Sequence, residues 1–370
     1  MKIARLQSYL IPGDPRPNAW CPRIPFVFVR LETTCGVVGW GEGYTFTHRE
    51  YAVVATIEAL AEHLIGLDLA NTRYVATLAR SRFGEQQMGQ TELAAASAIE
   101  IAMWDALAKA HGLPVHALNG RDNLTAIDLY ANIWTNQPHS VDQIAQVAAD
   151  QAAAGFSAIK MYPFRLGESV AEGREKVRAV REAVGEGVGI AIDIWRFPDR
   201  ALAVQICRSL EDFNILWFED PFPPAHSASY AYLAAKTGVP LVAGETLCHL
   251  DDFDQLICSG AVGLINPDIC VVGGFHQMNA VATLASKEGV RISPHNYNSM
   301  TVGLAASATA AAGIHRVGLV EYFPIGDDDL DGVVETRLRP TRGQVKLSDA
   351  AGLGVSFDDA KMEQFKICLL

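Results

Sequence analysis

The chain is predicted to be an α/β protein built on a closed parallel barrel, with an α+β portion ahead of it. Three observations predict this. β-rich runs alternate with amphipathic stretches from Ala126 onward, an ionisable residue recurs near the ends of successive runs, and the stretch before Asn119 reads as a hairpin followed by helices. The length of 370 residues fits one large domain with an appendage or two domains. With 49% hydrophobic residues, 19% charged residues and a mean hydropathy of +0.12, the chain has the makings of a large buried core.

The first element is a hairpin. Phe26 to Glu32 is β-rich, Thr34-Cys35-Gly36 turns, and Val37 to Glu42 returns beside it. Helical periodicity then runs over Glu50 to Leu64, Thr72 to Ser81 and Thr91 to Lys109. The last helix stops at His111-Gly112-Leu113-Pro114, which joins a C-terminal glycine to a nearby proline. The cluster from Asn119 to Asn123 ends this portion, so residues 1–123 read as an α+β capping domain.

Residues 124–325 carry the alternating texture. The β-rich runs are Ala126 to Ile133, Ser157 to Tyr162, Gly189 to Ile194, Ile215 to Glu219, Pro240 to Glu245, Leu264 to Ile269, Arg291 to His295 and Val317 to Glu321. Amphipathic stretches lie between them, as in Gln143 to Ala154, Val170 to Val184, Ala201 to Asp212 and Gln277 to Glu288. Eight apolar strands joined by crossovers fit a closed parallel barrel better than an open sheet. Residues 326–370 leave this pattern. Gly343 to Leu347 and Gly352 to Val355 look extended, and the segment is expected to pack back on the capping domain.

Composition excludes several classes of partner. A net charge of −12 and a pI near 5.3 argue against nucleic acid, which needs a basic face to release counterions. No apolar run reaches the roughly 18 residues of a membrane span. Even Leu93 to Ala110 is broken by Glu100, Asp105 and Lys109. The start lacks the apolar core of a signal peptide. The seven cysteines are scattered without metal spacing, which fits a reduced cytoplasm. An anionic substrate would need a local cation to reverse the field at its site.

Asp193, Glu219, Glu245, Asp268, His295 and Glu321 follow one another at intervals of 26, 26, 23, 27 and 26 residues, close to one βα unit of a barrel. The C-terminal ends of barrel strands, where these residues fall, carry the chemistry of such folds. Asp193, Glu219 and Glu245 would converge from consecutive strands, and like charges that close need a cation or raised pKa values. An all-oxygen set suits Mg²⁺, with Mn²⁺ as the alternative. Taken singly, each acid would be a turn former or a helix cap.

Asp268 beside His295 makes a base whose tautomer is fixed. Glu321 would hydrogen-bond a substrate oxygen, or serve as a salt-bridge partner. Lys160 points into the barrel mouth, as a cation for a substrate carboxylate or as a rim lysine. Tyr162, two residues on, would relay a proton, donate a hydrogen bond or simply pack. The loops around Trp20-Cys21 and Tyr44-Thr45, with Trp134 and Trp195, are expected to close over the site.

These residues resemble the enolase superfamily and, within it, the mandelate racemase-like subgroup. The likeness runs through Gly39-Trp40-Gly41-Glu42, the helix from Ala98 to Ala106, Trp217-Phe218-Glu219-Asp220-Pro221, Gly244-Glu245-Thr246, Asn266-Pro267-Asp268, Pro294-His295 and Gly352-Leu353-Gly354. The resemblance implies an α+β capping domain on a modified TIM barrel, (β/α)₇β, and Mg²⁺-assisted removal of the proton next to a carboxylate through an enediolate. By motif, Asp193, Glu219 and Glu245 look like the metal ligands, Asp268 and His295 the dyad, and Glu321 the enediolate partner. Lys160 resembles the first lysine of a Lys-x-Lys signature, and Tyr162 stands where the second, catalytic lysine would be. The resemblance also implies a homo-oligomer.

A racemase needs a base on each face of the planar intermediate, whereas a dehydratase can use His295 first as base and then as acid. The expected activity is therefore dehydration of a sugar acid or other hydroxy acid. Racemisation or epimerisation of a hydroxy acid, with Tyr162 as the second base, is the alternative within enzymes. A carboxylate-binding protein without turnover is the alternative outside them.

Overall fold

The computed structural model describes residues 1–13, 25–45, 48–84, 88–120, 125–134, 140–165, 167–194, 199–297, 299, 301–324 and 330–369. Trp20, Cys21 and Trp195, and the expected domain edges at 123–124 and 325–326, lie outside them.

The amino-terminal sheet is an antiparallel meander of β1 (Ile3–Ile11), β2 (Phe26–Thr33) and β3 (Val38–Gly43), followed by α1 (Glu50–Leu64), α2 (Tyr74–Phe83), α3 (Gln90–Ala110) and the short α4 (Val115–Leu118). Alternating glycines decide how it packs. A Cβ on Gly41 would lie 1.8 Å from the Ala98 carbonyl oxygen, and one on Gly39 would lie 2.1 Å from that of Ala102. The backbone of α3 therefore rests directly on β3, which no side chain at those positions would allow. The intervening residues Trp40 and Glu42 face the other way.

The larger unit alternates strand and helix through β4 (Ala126–Asn132), α5 (Val141–Ala153), β5 (Ala158–Met161), α6 (Val170–Val184), β6 (Gly189–Asp193), α7 (Arg200–Ser209), β7 (Ile215–Glu219), α8 (Ser227–Ala234), β8 (Leu241–Ala243), α9 (Leu250–Cys258), β9 (Val262–Ile265), α10 (Gly274–Lys287), β10 (Arg291–Ile292), α11 (Val302–Gly313) and β11 (Val320–Tyr322). All neighbouring pairs along the path β10-β9-β8-β7-β6-β5-β4-β11 are parallel. Backbone hydrogen bonds close the ring. The Gly318 N–H donates to the Ile292 carbonyl at 2.6 Å, and the Glu321 N–H to that of Pro294 at 3.1 Å. Eight strands and seven intervening helices make a (β/α)₇β barrel. After β11 the described chain resumes at Leu330 with β12 (Val334–Thr336), and the expected α/β architecture stands.

The strands are shorter than the apolar runs suggest. Leu264 to Ile269, for example, reads as one strand, yet pairing ends at Ile265, and Asn266 to Asp268 form the outgoing loop. Three helices, α8, α9 and α11, escape the periodicity reading. α11 is the clearest case: Val302 to Ala312 is buried on every side, so it shows no polar face from which a 3.6-residue period could be read.

The last segment adds β13 (Gln344–Lys346), antiparallel to β4, then β14 (Ser356–Phe357), paired with β12, then α12 (Asp359–Met362) and β15 (Lys366–Ile367). β15 pairs antiparallel with β1, with Ser8 opposite Ile367. Buried carboxylates tie the units together. Asp105 on α3 accepts from the Trp40 N–H (2.9 Å), Lys109 Nζ (2.6 Å) and the Leu353 N–H (2.8 Å). Glu100, one turn earlier, accepts from the Phe275 and His276 N–H groups at 2.9 and 3.2 Å and from Trp104 Nε1 at 2.7 Å. It thereby caps the start of α10. Burial, opposed by these donors, pushes its carboxyl up to about 8. Among the described residues, no helix is long and apolar enough to cross a membrane.

Candidate active site

The strand ends deliver their polar residues to one place. β6 ends on Asp193 and β7 on Glu219, and the two are in register across the ladder. Glu245 follows β8 through Gly244, whose φ of +136° favours glycine. Asp268 and His295 leave β9 and β10 together and form a parallel bridge of their own. Glu321 lies in β11 and Lys160 in β5, and both side chains are buried.

Lys160 is 1% exposed. Its Nζ lies 2.6 Å from Glu219 Oε1, 2.7 Å from Glu321 Oε1 and 3.8 Å from Asp193 Oδ2, and 5.6 Å from the centre of the Tyr130 ring. His295 faces Lys160 across Glu321. Its Nδ1 is 2.8 Å from Asp268 Oδ2, while Nε2 is 3.0 Å from Glu245 Oε2 and 3.3 Å from Glu321 Oε2. Glu321 thus bridges the lysine and the histidine with separate oxygens. Backbone donors fix the dyad. The Cys270 N–H donates to Asp268 Oδ1 at 2.7 Å, and that of Tyr297 to Oδ2 at 3.3 Å.

Four buried carboxylates, those of Glu219, Glu245, Asp268 and Glu321, and the partly buried one of Asp193 therefore surround two basic side chains. Burial raises Asp193 well above the usual carboxylate range despite Lys160, and raises Glu219 as well. Burial also penalises the charge on Lys160 and His295, yet the surrounding acids hold both groups well above their ordinary values. Burial would raise Glu321 too, but Lys160 and His295 pull it below the ordinary value. An excess of buried negative charge on hard oxygen donors fits a divalent cation.

Among the described residues, the ligand atoms close enough to share one ion, within 4.8 Å of one another, belong to Glu219, Glu245 and His295. Asp193 is not in that set, and its carboxylate turns to Lys160 instead. Tyr162 stands beside Asp193, half-buried, with its phenol pushed up to about 12 by burial and by that carboxylate.

Several residues of the site went unread in the sequence. Trp217 Nε1 donates to Glu219 Oε2 at 2.9 Å and Asn266 Nδ2 to Oε1 at 3.0 Å. Asn132 Nδ2 donates to Glu321 Oε1 at 2.6 Å, and the Asn296 N–H to Oε2 at 3.1 Å. Two of these had a signal. Asn132 lies one βα repeat before Lys160, and Trp217 is two residues before Glu219 on the same face of β7. From the capping side, the Tyr44 ring comes to 6.3 Å from that of His295 and 5.1 Å from that of Tyr297. Trp134 is half-buried at the end of β4.

Residues 143–361 match the enolase C-terminal domain-like family, and residues 21–120 match the mandelate racemase / muconate lactonizing enzyme N-terminal domain. The chain is 30% identical to the D-galactarolactone cycloisomerase of Agrobacterium fabrum, over 99% of each protein. It is 28% identical to a D-galactonate dehydratase of Xanthomonas euvesicatoria pv. vesicatoria, over 98% of this chain and 94% of that one. Among solved structures, the 3,6-anhydro-D-galactonate cycloisomerase of Zobellia galactanivorans superposes with a TM-score of 0.89 at 25% identity, covering 100% of both chains.

Proposed function

This chain belongs to the mandelate racemase / muconate lactonizing enzyme family of the enolase superfamily, and from that premise we propose that it is a Mg²⁺-dependent dehydratase of a hydroxylated sugar acid. The observation that carries the reading is Glu321 shared between Lys160 and His295, with Asp268 fixing the far side of the imidazole. Asp193, Glu219 and Glu245 are the residues that would hold the cation, with Mn²⁺ as a substitute. A bound cation supplies the positive charge these acids lack, relieves the anionic field that keeps His295 protonated, and polarises the substrate carboxylate.

Asp268 accepts a hydrogen bond from the Nδ1–H of His295 and so leaves Nε2 as the atom that takes the proton on the carbon next to the substrate carboxylate. The electron pair released moves into the carboxylate, and the resulting enediolate draws stabilisation from the Lys160 ammonium. Protonated Nε2 then gives its proton to the neighbouring hydroxyl. That C–O bond breaks, water leaves, and the enol tautomerises to a keto acid. Such a proton is far too weakly acidic for histidine alone, so the electrostatics must supply much of the roughly 8 to 23 kcal/mol that enzymes contribute. Burial and the Asp193 carboxylate push the Tyr162 phenol up to about 12, which disfavours it as the second base of a racemase.

A panel of aldonic and aldaric acids, incubated with the protein and Mg²⁺, tests this. One acid is expected to yield a keto acid lighter by one water, with turnover abolished by a chelator. The His295→Asn variant is expected to lose about 10²- to 10⁴-fold in kcat; undiminished turnover would remove His295 from the role of base. The similarity to a cycloisomerase favours a second reading, isomerisation of a sugar-acid lactone, which conserves mass and is separated by the same mass measurement. The reading includes a reduced compartment, supported by the scattered spacing of the cysteines, and a homo-oligomer, which light scattering would show.

A further inference from the structure

Glu42 is a buried side chain through which the capping domain reaches the dyad. It lies on β3, and its Oε2 accepts two hydrogen bonds from the barrel, from Ser299 Oγ at 2.6 Å and from the Gly303 N–H at 2.8 Å. Gly303 lies in the first turn of α11, where a carboxylate meets the positive end of the helix. A Cβ at Gly303 would stand 2.2 Å from Ser299 Oγ, so the two donors converge only because that position is glycine.

The segment that Glu42 anchors is the one that builds the dyad. It begins at His295. Its Asn296 N–H donates to Glu321, and its Tyr297 N–H to Asp268. Asn296 Nδ2 folds the segment on itself by donating to the Ser299 carbonyl at 2.6 Å. A second tie runs beside the first. The Tyr44 N–H, just past β3, donates to the Cys270 carbonyl at 3.0 Å, and the Cys270 N–H holds Asp268 Oδ1. Both carboxylate oxygens of Asp268 are thus held by loops that β3 grips. Between β3 and the dyad, Glu42, Tyr44, Asp268, Cys270, Tyr297 and Ser299 line a space of about 10 Å³, the size of one water. Burial and then the Asp268 charge, working against the two donors, push Glu42 up to about 7.

We propose that Glu42 is a positioning residue, through which the capping domain holds Ser299 and Gly303 so that Asp268, His295 and Glu321 stay in the geometry needed for proton transfer. Glu42 touches no reacting group in this scheme. Its role rests on the reaction assigned to the site, and deepens it.

Glu42→Ala, Glu42→Gln and Ser299→Ala test it in the full-length protein with Mg²⁺. Three readouts are compared: kcat against KM, the low-field Nδ1–H resonance of His295 assigned by its loss in His295→Asn, and the thermal midpoint. Glu42→Ala is expected to lower kcat by on the order of 10²-fold with little change in KM, and to shift or broaden the resonance. Glu42→Gln is expected to restore most of kcat, because its amide oxygen accepts from the same two donors. Ser299→Ala is expected to fall between them. A folded Glu42→Ala with wild-type kcat and an unmoved resonance overturns the proposal, as does an equal loss in the glutamine variant. Should Glu42→Ala not fold, an unmoved resonance in Ser299→Ala overturns it. The resonance needs no turnover, so an error in the substrate or reaction would leave this arm standing.

Discussion

Glu219 is held at both of its carboxylate oxygens. Lys160 and Asn266 share one of its oxygens and the Trp217 indole holds the other, so its carboxylate plane is set before any cation arrives. Trp217→Phe keeps the ring in the barrel interior and removes only the N–H. It is expected to weaken Mg²⁺ binding by about 10- to 100-fold, measured by calorimetry; an unchanged affinity would make the indole a packing residue alone. The period of strand-end residues made the six ionisable residues from Asp193 to Glu321 legible in the sequence, because a barrel superimposes its strand ends, and Lys160 was legible from its place in the preceding β-rich run. The period could not separate Asp193 from the others, since that difference is one of side-chain direction. Tyr44 lies outside that period and was legible only as part of a loop expected to close over the site, because its contact is made between domains and has no local pattern.

At the scale of elements, the contact between β3 and α3 is the most exacting in the capping domain. Gly41→Ala forces its methyl into the Ala98 carbonyl and is expected to cost about 3 kcal/mol or more of stability, read by denaturant unfolding. A wild-type midpoint would mean that α3 can slide. α6, with one wet face, was legible to the residue from its amphipathic pattern, and the structure bounds it with a Ser169–Glu172 capping box and with Gly185. α11 was not, for it is surrounded by protein. The strands were overextended in the reading because a barrel continues apolar past its last paired residue into the loops that line the site.

At the scale of the molecule, Glu42 and Glu100 give a pH signature. Both carboxyls are raised, to about 7 and about 8, so each binds its proton more tightly folded than unfolded. Between the ordinary carboxylate range and about pH 8, the native state holds more protons. These two groups therefore make stability fall as pH rises across that window and level off above it. Glu100→Gln cannot titrate and is expected to flatten part of the slope in urea midpoints between pH 5 and 8; an unaltered slope would mean Glu100 ionises as freely in the fold as outside it.

The pairing of β15 with β1 has a consequence for synthesis. The strand made first waits beside an empty edge position until residues 366 and 367 emerge, by which time the whole barrel has been made. An unpaired strand edge is the usual template for wrong pairing between chains. The capping sheet is therefore begun before the barrel and finished after it, and in the interval between them the β15 side of β1 is an open edge.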